Sequence, residues 1–438
     1  MNNETKKLFS EFPTVSKEQW KTLVNQDLKG KDFEKTLVYN SIEGIKINPY
    51  FTRENIASMP HPQPLSKREG SWEIRQDINV RNPRTANKKA LDTLMKGANS
   101  LGFIINEELD EKKINLLLKN ILFEYISVNF STENNNVEIL NLFIDEIKKR
   151  KIDTTKINGS INCDPLGNLV SKGKWINSKT KDWDVTETSL QLISAELPKF
   201  HCININAEYY HNSGASIVQE LAFSLAQANE YLVHLTDKNY SVDDLTARIR
   251  WTFAVGTNYL FEIAKLRAIR ILWAKIVDQY HPQHSCPTTS FIHCTTSQRS
   301  LMIEDAHTNI LRATTQVMSA VIGGANSVTV TPFDAAYQNS DNFSERIARN
   351  VQTIISEEAY FNKVANPADG SYFIEYLTHS IAEKAWEFFQ NLEKQGGFIA
   401  GLENDFIHSE IAKSNAIRKE NIATGKTVLV GVNKYKKS

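Results

Sequence analysis

From residue 72 to residue 333 the chain alternates short strand-like runs with longer stretches of helical periodicity. Nothing else in the sequence constrains the fold as strongly. The runs are WEIRQDI (72–78), LGFIIN (101–106), EYISVNF (124–130), KINGSINC (156–163), FHCININ (200–206), RWTFAVG (250–256), TSFIHC (289–294) and SVTVTPF (327–333). Helical periodicity separates most of them, as in TANKKALDTLMKGANS, KKINLLLKNI, VEILNLFIDEIKKRK, GASIVQELAFSLAQANEYLVHL and TNYLFEIAKLRAIRILWAKIVDQY. Eight strands alternating with helices over this length predict an α/β chain, a (β/α)8 TIM barrel. A doubly wound open sheet is the rival, but no Gly-rich phosphate turn follows the first strand.

The flanks predict two additions to the barrel. SKEQWKTLVNQDLKG opens with Ser16, spaces Trp20, Leu23, Val24 and Leu28 as one helical face, and stops at Gly30. So short an amphipathic helix cannot bury its apolar face alone, so residues 1–60 are expected to be an arm and linker that packs on something else. MPHPQPLSKREG reads as a linker or surface loop. The barrel is expected over 61–360 and a helical extension over 361–438. Residues 164–189 read as a long polar insertion after the fourth strand, lying over the C-terminal mouth.

Charge and composition exclude several function classes. Lys plus Arg and Asp plus Glu both number 51, and a net charge of zero argues against non-specific binding to nucleic acid or anionic membranes. The N-terminus has no secretory apolar core, and no run of eighteen apolar residues occurs. Of Cys163, Cys202, Cys286 and Cys294, three fall at or inside strand-like runs, which suits buried free thiols and a reducing cytoplasm.

Metal and nucleotide motifs are weak. His281, His284 and Cys286 have no second cluster to complete a tetrahedral site, and read as a loop. Asp305-Ala-His307 has the first two residues of the cobalamin signature Asp-x-His-x-x-Gly, but Ile310 occupies the glycine position and the stretch reads as helix surface. No metal site is expected. The strand ends are better candidates, because a barrel builds its ligand site there. They supply Asp77, Tyr209, His211, Arg248, Arg250, His293 and Asn326. HCININAEYYHNSGAS (201–216) concentrates Glu208, Tyr209, Tyr210 and His211 where the fifth strand ends.

FAVGTNYLFEIAKLRAIRILWAKIVDQYHPQ (253–283), NFSERIARNVQTIISEEA (342–359) and NPADGSYFIEYLTHSIAEKAWEFFQNLEKQGGF (366–398) closely resemble the methylmalonyl-CoA mutase family. GASIVQELAFSLAQANEYL (214–232) is similar to it too, and the resemblance runs from about residue 15 to the end. The segment with Trp20 and GIKINPYFT looks like that of the family's small subunits. The resemblance implies a (β/α)8 barrel threaded by coenzyme A, a cobalamin-binding flavodoxin-like domain, and radical interconversion of methylmalonyl-CoA and succinyl-CoA. It also implies heterodimers of a catalytic large and a related small subunit.

Within that resemblance the former site is degenerate. Catalytic chains have an adjacent Tyr-His pair where this chain has Glu208 and Tyr209. His211 is two positions late, which on a strand moves the imidazole by about 7 Å. Asp77 stands for a tyrosine, Phe291 for a carboxylate-gripping arginine, Thr295 for a glutamine and Ala335 for an acid that would meet the cofactor's ribose. Only Arg248 and His293 stand where catalytic chains have functional groups, and they are the candidate residual ligand contacts. GKTVLVGVNKY resembles the lead into the cobalamin domain. The short remainder is expected to leave out the flavodoxin-like domain, which needs roughly 130 residues.

The expectation is a small, non-catalytic subunit with no catalytic residues. Its large-subunit partner would bind the adenosylcobalamin, and this chain alone would bind none. Two alternatives stand beside it: an active acyl-CoA mutase barrel served by a separate cobalamin protein, and a stand-alone passive mutase chaperone.

Overall fold

The computed structural model describes residues 11–13, 15–56, 71–283 and 290–436. Eight parallel strands close into a barrel. They are β1 Glu73–Asn79, β2 Ser100–Ile105, β3 Ser127–Thr132, β4 Asn158–Cys163, β5 Phe200–Asn206, β6 Ile249–Val255, β7 Phe291–Thr296 and β8 Ser327–Thr329. Each pairs with its neighbours in chain order, and β8 pairs with both β7 and β1. All eight expected strands are present. β3 starts three residues later than predicted because Tyr125 N–H turns back to the Leu122 carbonyl. β8 is cut short before Pro332, whose carbonyl opens a turn onto the Ala335 N–H.

Pleating sorts the strand side chains by period two. Apolar positions face the surrounding helices: Trp251 meets Trp273 of helix Tyr259–Asp278, ring centres 5.2 Å apart, and Phe130 meets Phe143 of helix Asn136–Arg150 at 5.0 Å. The alternate positions, Arg75, Ser100, Asn129, Ser160, Arg250 and His293 among them, turn inward. Barrel interiors are usually filled by branched apolar residues; this one is polar.

The predicted insertion at 164–189 is instead two helices, Pro165–Lys172 and Lys179–Glu196. Asp164 caps the first by accepting from Gly167 N–H at 2.9 Å, with Pro165 in the first turn where its missing N–H costs nothing. The Asp182 carboxylate accepts the N–H groups of Ile176 and Asn177. The polar and charged residues of the second helix hide its buried stripe of Trp183, Thr186, Leu190 and Ile193. Asp305 and His307 lie in the turn before helix Thr308–Ile322, not within a helix.

The N-terminal arm follows its sequence signals. Ser16 and Gln19 form a capping box on helix Lys17–Asp27, and Trp20 stacks on Tyr50 with centres 4.8 Å apart. No residue of that helix is buried. A short hairpin pairs Tyr39–Asn40 with Lys46–Ile47 and anchors the arm. Ile45 is buried, the Tyr376 hydroxyl donates to the Lys46 carbonyl, and Phe51 packs on Phe373 and Tyr376. The expected boundary at residues 60 and 61 lies outside the described residues. At the other end, helix Tyr372–Lys394 buries Leu377, Ile381, Ala385 and Leu392 and packs on helices Ile217–Thr236 and Tyr259–Asp278. Helix Phe406–Ala423 follows. One apolar core runs from Ile45 to Ile411, so arm base, barrel and extension share it.

Candidate functional site

The inward-facing side chains satisfy one another across the bore. Arg250 on β6 reaches the opposite wall, where one nitrogen donates to Asn129 Oδ1 on β3 at 2.8 Å and contacts Ser160 Oγ on β4. Ser160 in turn donates to Asn129 at 2.7 Å, and Asn129 donates to Ser100 and to the Leu101 carbonyl. Complete burial, with Arg75 adding like charge, lowers the Arg250 pKa to about 9, so the guanidinium remains cationic at neutral pH. Its face lies 5.6 Å from the Phe291 ring, which also meets His201. Below this strut, at the N-terminal end, lies a cavity of about 50 Å³.

Higher in the bore, Arg75 Nε donates to Asp77 Oδ1 at 2.6 Å. Both side chains lie over Gly102 of β2, where an added Cβ would stand 1.8 Å from Asp77 Oδ1 and 2.6 Å from Arg75 Nη2. Only glycine leaves room for this ion pair. His293 sits mid-bore with Nδ1 3.1 Å from Ser327 Oγ. Burial, then the charges of Arg75 and Arg250, push its pKa well down, so it is neutral.

At the C-terminal mouth the structure joins three of the predicted positions. Thr295 Oγ1 donates to Glu208 Oε1 at 3.1 Å. Burial, together with the charge of Asp77, raises the Glu208 pKa. Tyr209 stands beside the helix that follows β4, its phenol pushed up to about 12 by burial and by Asp164. The mouth is therefore acidic, and its own threonine and arginine already occupy the acids.

Other predicted positions fall elsewhere. Glu208–Ser213 is a helical turn, not the end of a strand. Gly214, at φ +107°, closes it, and Ala207 starts it with helical backbone angles. Two residues therefore rotate a side chain by about 200° and do not keep it on one face. His211 is accordingly turned away and buried, with Nε2 2.7 Å from Ser297 Oγ and Nδ1 3.6 Å from Glu220. Arg248 is at the opposite end of the barrel from the mouth, donating to the carbonyls of Pro198 and Phe200 where β5 begins. It preceded its strand, so the strand-end assignment is corrected to the N-terminal end. Phe291 begins β7 and Asn326 directly precedes β8, so both also lie there; Asn326 Oδ1 accepts from Ile292 N–H. Ala335 is an exposed turn residue.

Sequence reasoning passed over Asp164, which follows β4 directly. Its Oδ1 accepts from Gln227 Nε2 at 2.6 Å and from the Tyr231 hydroxyl at 3.1 Å, while Oδ2 is buried with no partner inside hydrogen-bond geometry among the described residues. Burial, opposed by these hydrogen bonds, raises its pKa to about 7. The signal was present: an Asp-Pro pair directly after a strand-like run is both a helix cap and a residue at a strand's C-terminal end.

Beneath the mouth, Lys265 lies fully buried between Glu262 Oε2 at 2.7 Å and both oxygens of Glu220 at 3.1 Å. It also donates to the Ala254 carbonyl. This network braces helices Ile217–Thr236 and Tyr259–Asp278 against β6. Among the described residues no group of three or more His, Cys, Asp or Glu could hold a metal ion. Cys163, Cys202 and Cys294 are buried free thiols. His284 and Cys286 lie outside the described residues. No helix among the described residues is long and apolar enough to cross a membrane.

A closed (β/α)8 barrel with a polar bore defines the fold class, and comparison with known proteins defines the family. A family model described as methylmalonyl-CoA mutase matches residues 109–438. A methylmalonyl-CoA mutase small subunit from Porphyromonas gingivalis is 40% identical over 99% of this chain and 72% of its own length. A methylmalonyl-CoA mutase from Cereibacter sphaeroides is 31% identical over 97% of this chain and 65% of its own length. A small subunit from Streptomyces virginiae is 28% identical over 98% of the chain and 71% of its own length. The chain belongs to the methylmalonyl-CoA mutase family.

Proposed function

We propose that this chain is the small, non-catalytic subunit of an adenosylcobalamin-dependent methylmalonyl-CoA mutase and stabilises a catalytic large subunit that carries the isomerisation. The observation that carries the reading is the Arg250 strut. The guanidinium crosses from β6 to β3 and β4, filling the bore with the chain's own side chains. A second observation agrees: at the mouth Arg75 is already paired with Asp77, and Glu208 adds a second carboxyl rather than a cation. A barrel that must grip an anionic acyl group needs the opposite charge there.

The residues present do not fit cobalamin. His307 is exposed on a turn with its ring 5.2 Å from Phe333, and Ile310 replaces the glycine that lets a loop approach a corrin. The contribution of this chain is binding. Helix Lys17–Asp27 projects Trp20 and Leu23 without burying a residue, while the hairpin behind it is fixed to the barrel. Such a face is stable only against a partner, here the large subunit in a heterodimer.

The test is mutase turnover by the co-expressed pair, by each chain alone, and by the pair carrying Asp77→Asn plus Glu208→Gln in this chain. The reading expects turnover in the pair, none from this chain alone, and unchanged kcat in the double variant. A lost kcat in an assembled double-variant complex would place chemistry in this barrel and overturn it.

A further inference from the structure

A cavity of about 220 Å³ lies on the C-terminal face but away from the bore, and nothing in the proposed function uses it. Its floor comes from the ends of β5, β6 and β7, through His211, Gly256 and Ser297. Its roof comes from both ends of the chain, the hairpin turn at Glu43 and helix Phe406–Ala423 at Arg418. The first turns of two twenty-residue helices, Ile217–Thr236 and Tyr259–Asp278, open on it. Their exposed amide ends favour negative charge.

The cationic lining is under-compensated. Arg299 donates one Nη to the His211 carbonyl at 2.6 Å, and Arg418 donates Nη2 to the Ala215 carbonyl at 3.3 Å. Arg418 Nε is buried and has no hydrogen-bond partner among the described residues. Among the described residues neither guanidinium has a carboxylate within 4.0 Å. The cations here are Arg299, Arg312, Arg418 and, under the floor, Lys265. The acids are Glu43, Glu220 and Glu262, and Lys265 holds the last two. Four cations thus meet three carboxylates, while His211 is kept neutral by burial. Arg299 is pushed down to about 10 by burial and then by Arg418, so the two guanidiniums repel each other across the space. Partial burial of the two guanidiniums is costly where Glu43, Glu220 and Glu262 act on them without direct contact, and an oxyanion accepting from both would reduce that cost.

We propose that this cavity is a binding site for a small oxyanion, a short-chain carboxylate or inorganic phosphate, held between Arg299 and Arg418. Its volume falls below the range of sites for drug-sized ligands, which excludes a nucleotide or coenzyme A. Because the roof is built from the N-terminal hairpin and the C-terminal helix, the bound anion clamps both ends of the chain onto the barrel. It therefore raises thermal stability by mass action. The proposal does not rest on the subunit assignment.

The experiment is calorimetric titration and thermal melting of the full chain with succinate and, separately, with inorganic phosphate, against chloride at matched ionic strength. Arginine-labelled NMR follows the Arg418 Nε–H. Saturable binding of either anion, a rise in Tm and a shifted Arg418 Nε–H are expected. Arg299→Gln and Arg418→Gln are each expected to weaken binding at least tenfold. Which anion binds identifies the source as carboxylate, phosphate or both. Two outcomes overturn the proposal: no binding of either anion to folded wild-type chain at 10-millimolar order, or binding that leaves the Arg418 Nε–H unmoved. The NMR readout decides the matter even if an arginine variant fails to fold.

Discussion

Arg250 on β6 and Asn129 on β3 are joined by a 2.8 Å hydrogen bond that spans the barrel from wall to wall. Nothing in local sequence links the two, since 121 residues separate them. The bond sets the state of the bore: with the guanidinium in place, side chains and not a ligand occupy the axis. It also explains how a polar interior is tolerated. A buried guanidinium is expensive unless its N–H groups are taken, and here the compensation is partial: Asn129 and Ser160 take one nitrogen and the Phe291 ring lies close to its face, while Nε is buried with no hydrogen-bond partner among the described residues.

The first prediction concerns this strut. Arg250→Ala leaves the Ser160–Asn129 bond but empties the centre of the barrel, and should cost about 2–5 kcal/mol, in the range of large-to-small core substitutions. Arg250→Met fills most of the volume without the desolvated charge and should cost much less. Urea unfolding of the purified chain checks both. Equal destabilisation by the two variants would show that hydrogen bonding, and not filling, is what the residue supplies.

Much of this fold was legible because periodicity reports which face of a strand is apolar. WEIRQDI and RWTFAVG alternate, and their apolar set, including Ile74, Trp251 and Phe253, packs outward as the pattern requires. What periodicity does not report is where the other set points. In a barrel it points at the axis, so Arg75 and Arg250 become interior residues while looking like surface ones. The site was less legible. Glu208 and His211 were placed by counting along a strand that in fact becomes helix at Ala207, which rotates His211 away from the mouth. Arg248 and Phe291 lie at strand starts, which a linear reading does not distinguish from strand ends until β6 and β7 have exact limits. Arg299 and Arg418 carry no local signal, since 119 positions separate them and only the fold brings them to one cavity.

A second prediction separates the arm from the barrel. Leu23 is 58% exposed on a helix that buries nothing, so Leu23→Asp should leave the melting temperature of the isolated chain unchanged. The same change at a partner interface removes an apolar anchor and buries a charge. It should weaken large-subunit binding at least tenfold, or about 1.4 kcal/mol. Surface-bound titration of the two purified subunits measures it, and undiminished affinity would remove the arm from the interface.

A third prediction uses Asp164. Its folded pKa of about 7 lies above the unfolded carboxylate value of about 3.9. Between those values the folded chain keeps a proton that the unfolded chain has released, so folding stability falls as pH rises from about 4 to about 7. It is level above that. The slope should approach about 1.4 kcal/mol per pH unit. His211 and His293 act in the opposite sense. Both are held neutral by burial, so their contribution is present above about pH 6.5 and lost as pH falls below it. Asp164→Asn isolates the first effect: the wild type should lose stability relative to the variant between pH 5 and pH 7 and run parallel to it above pH 8. Parallel curves throughout would mean that the carboxyl titrates normally.

The last prediction concerns the Lys265 network, where the question is whether a buried ion cluster stabilises or only compensates. Lys265 is fully buried, and burial would depress its pKa. Glu220 and Glu262 override that and raise it. Glu220 is raised by burial, which Lys265 opposes. The ammonium is therefore what allows two carboxylates to remain beneath β6. Lys265→Met should be strongly destabilising, by about 3–5 kcal/mol, because it removes the one cation in direct contact with both acids among the described residues. Adding Glu220→Gln and Glu262→Gln removes both acidic charges while retaining the Gly256 N–H acceptor that Glu262 provides at 2.8 Å. The triple variant should recover at least half of the loss. Recovery would assign the lysine to compensation. A triple variant no better than Lys265→Met alone would show that the bonds from Nζ to Ala254 and the two helices hold the barrel directly.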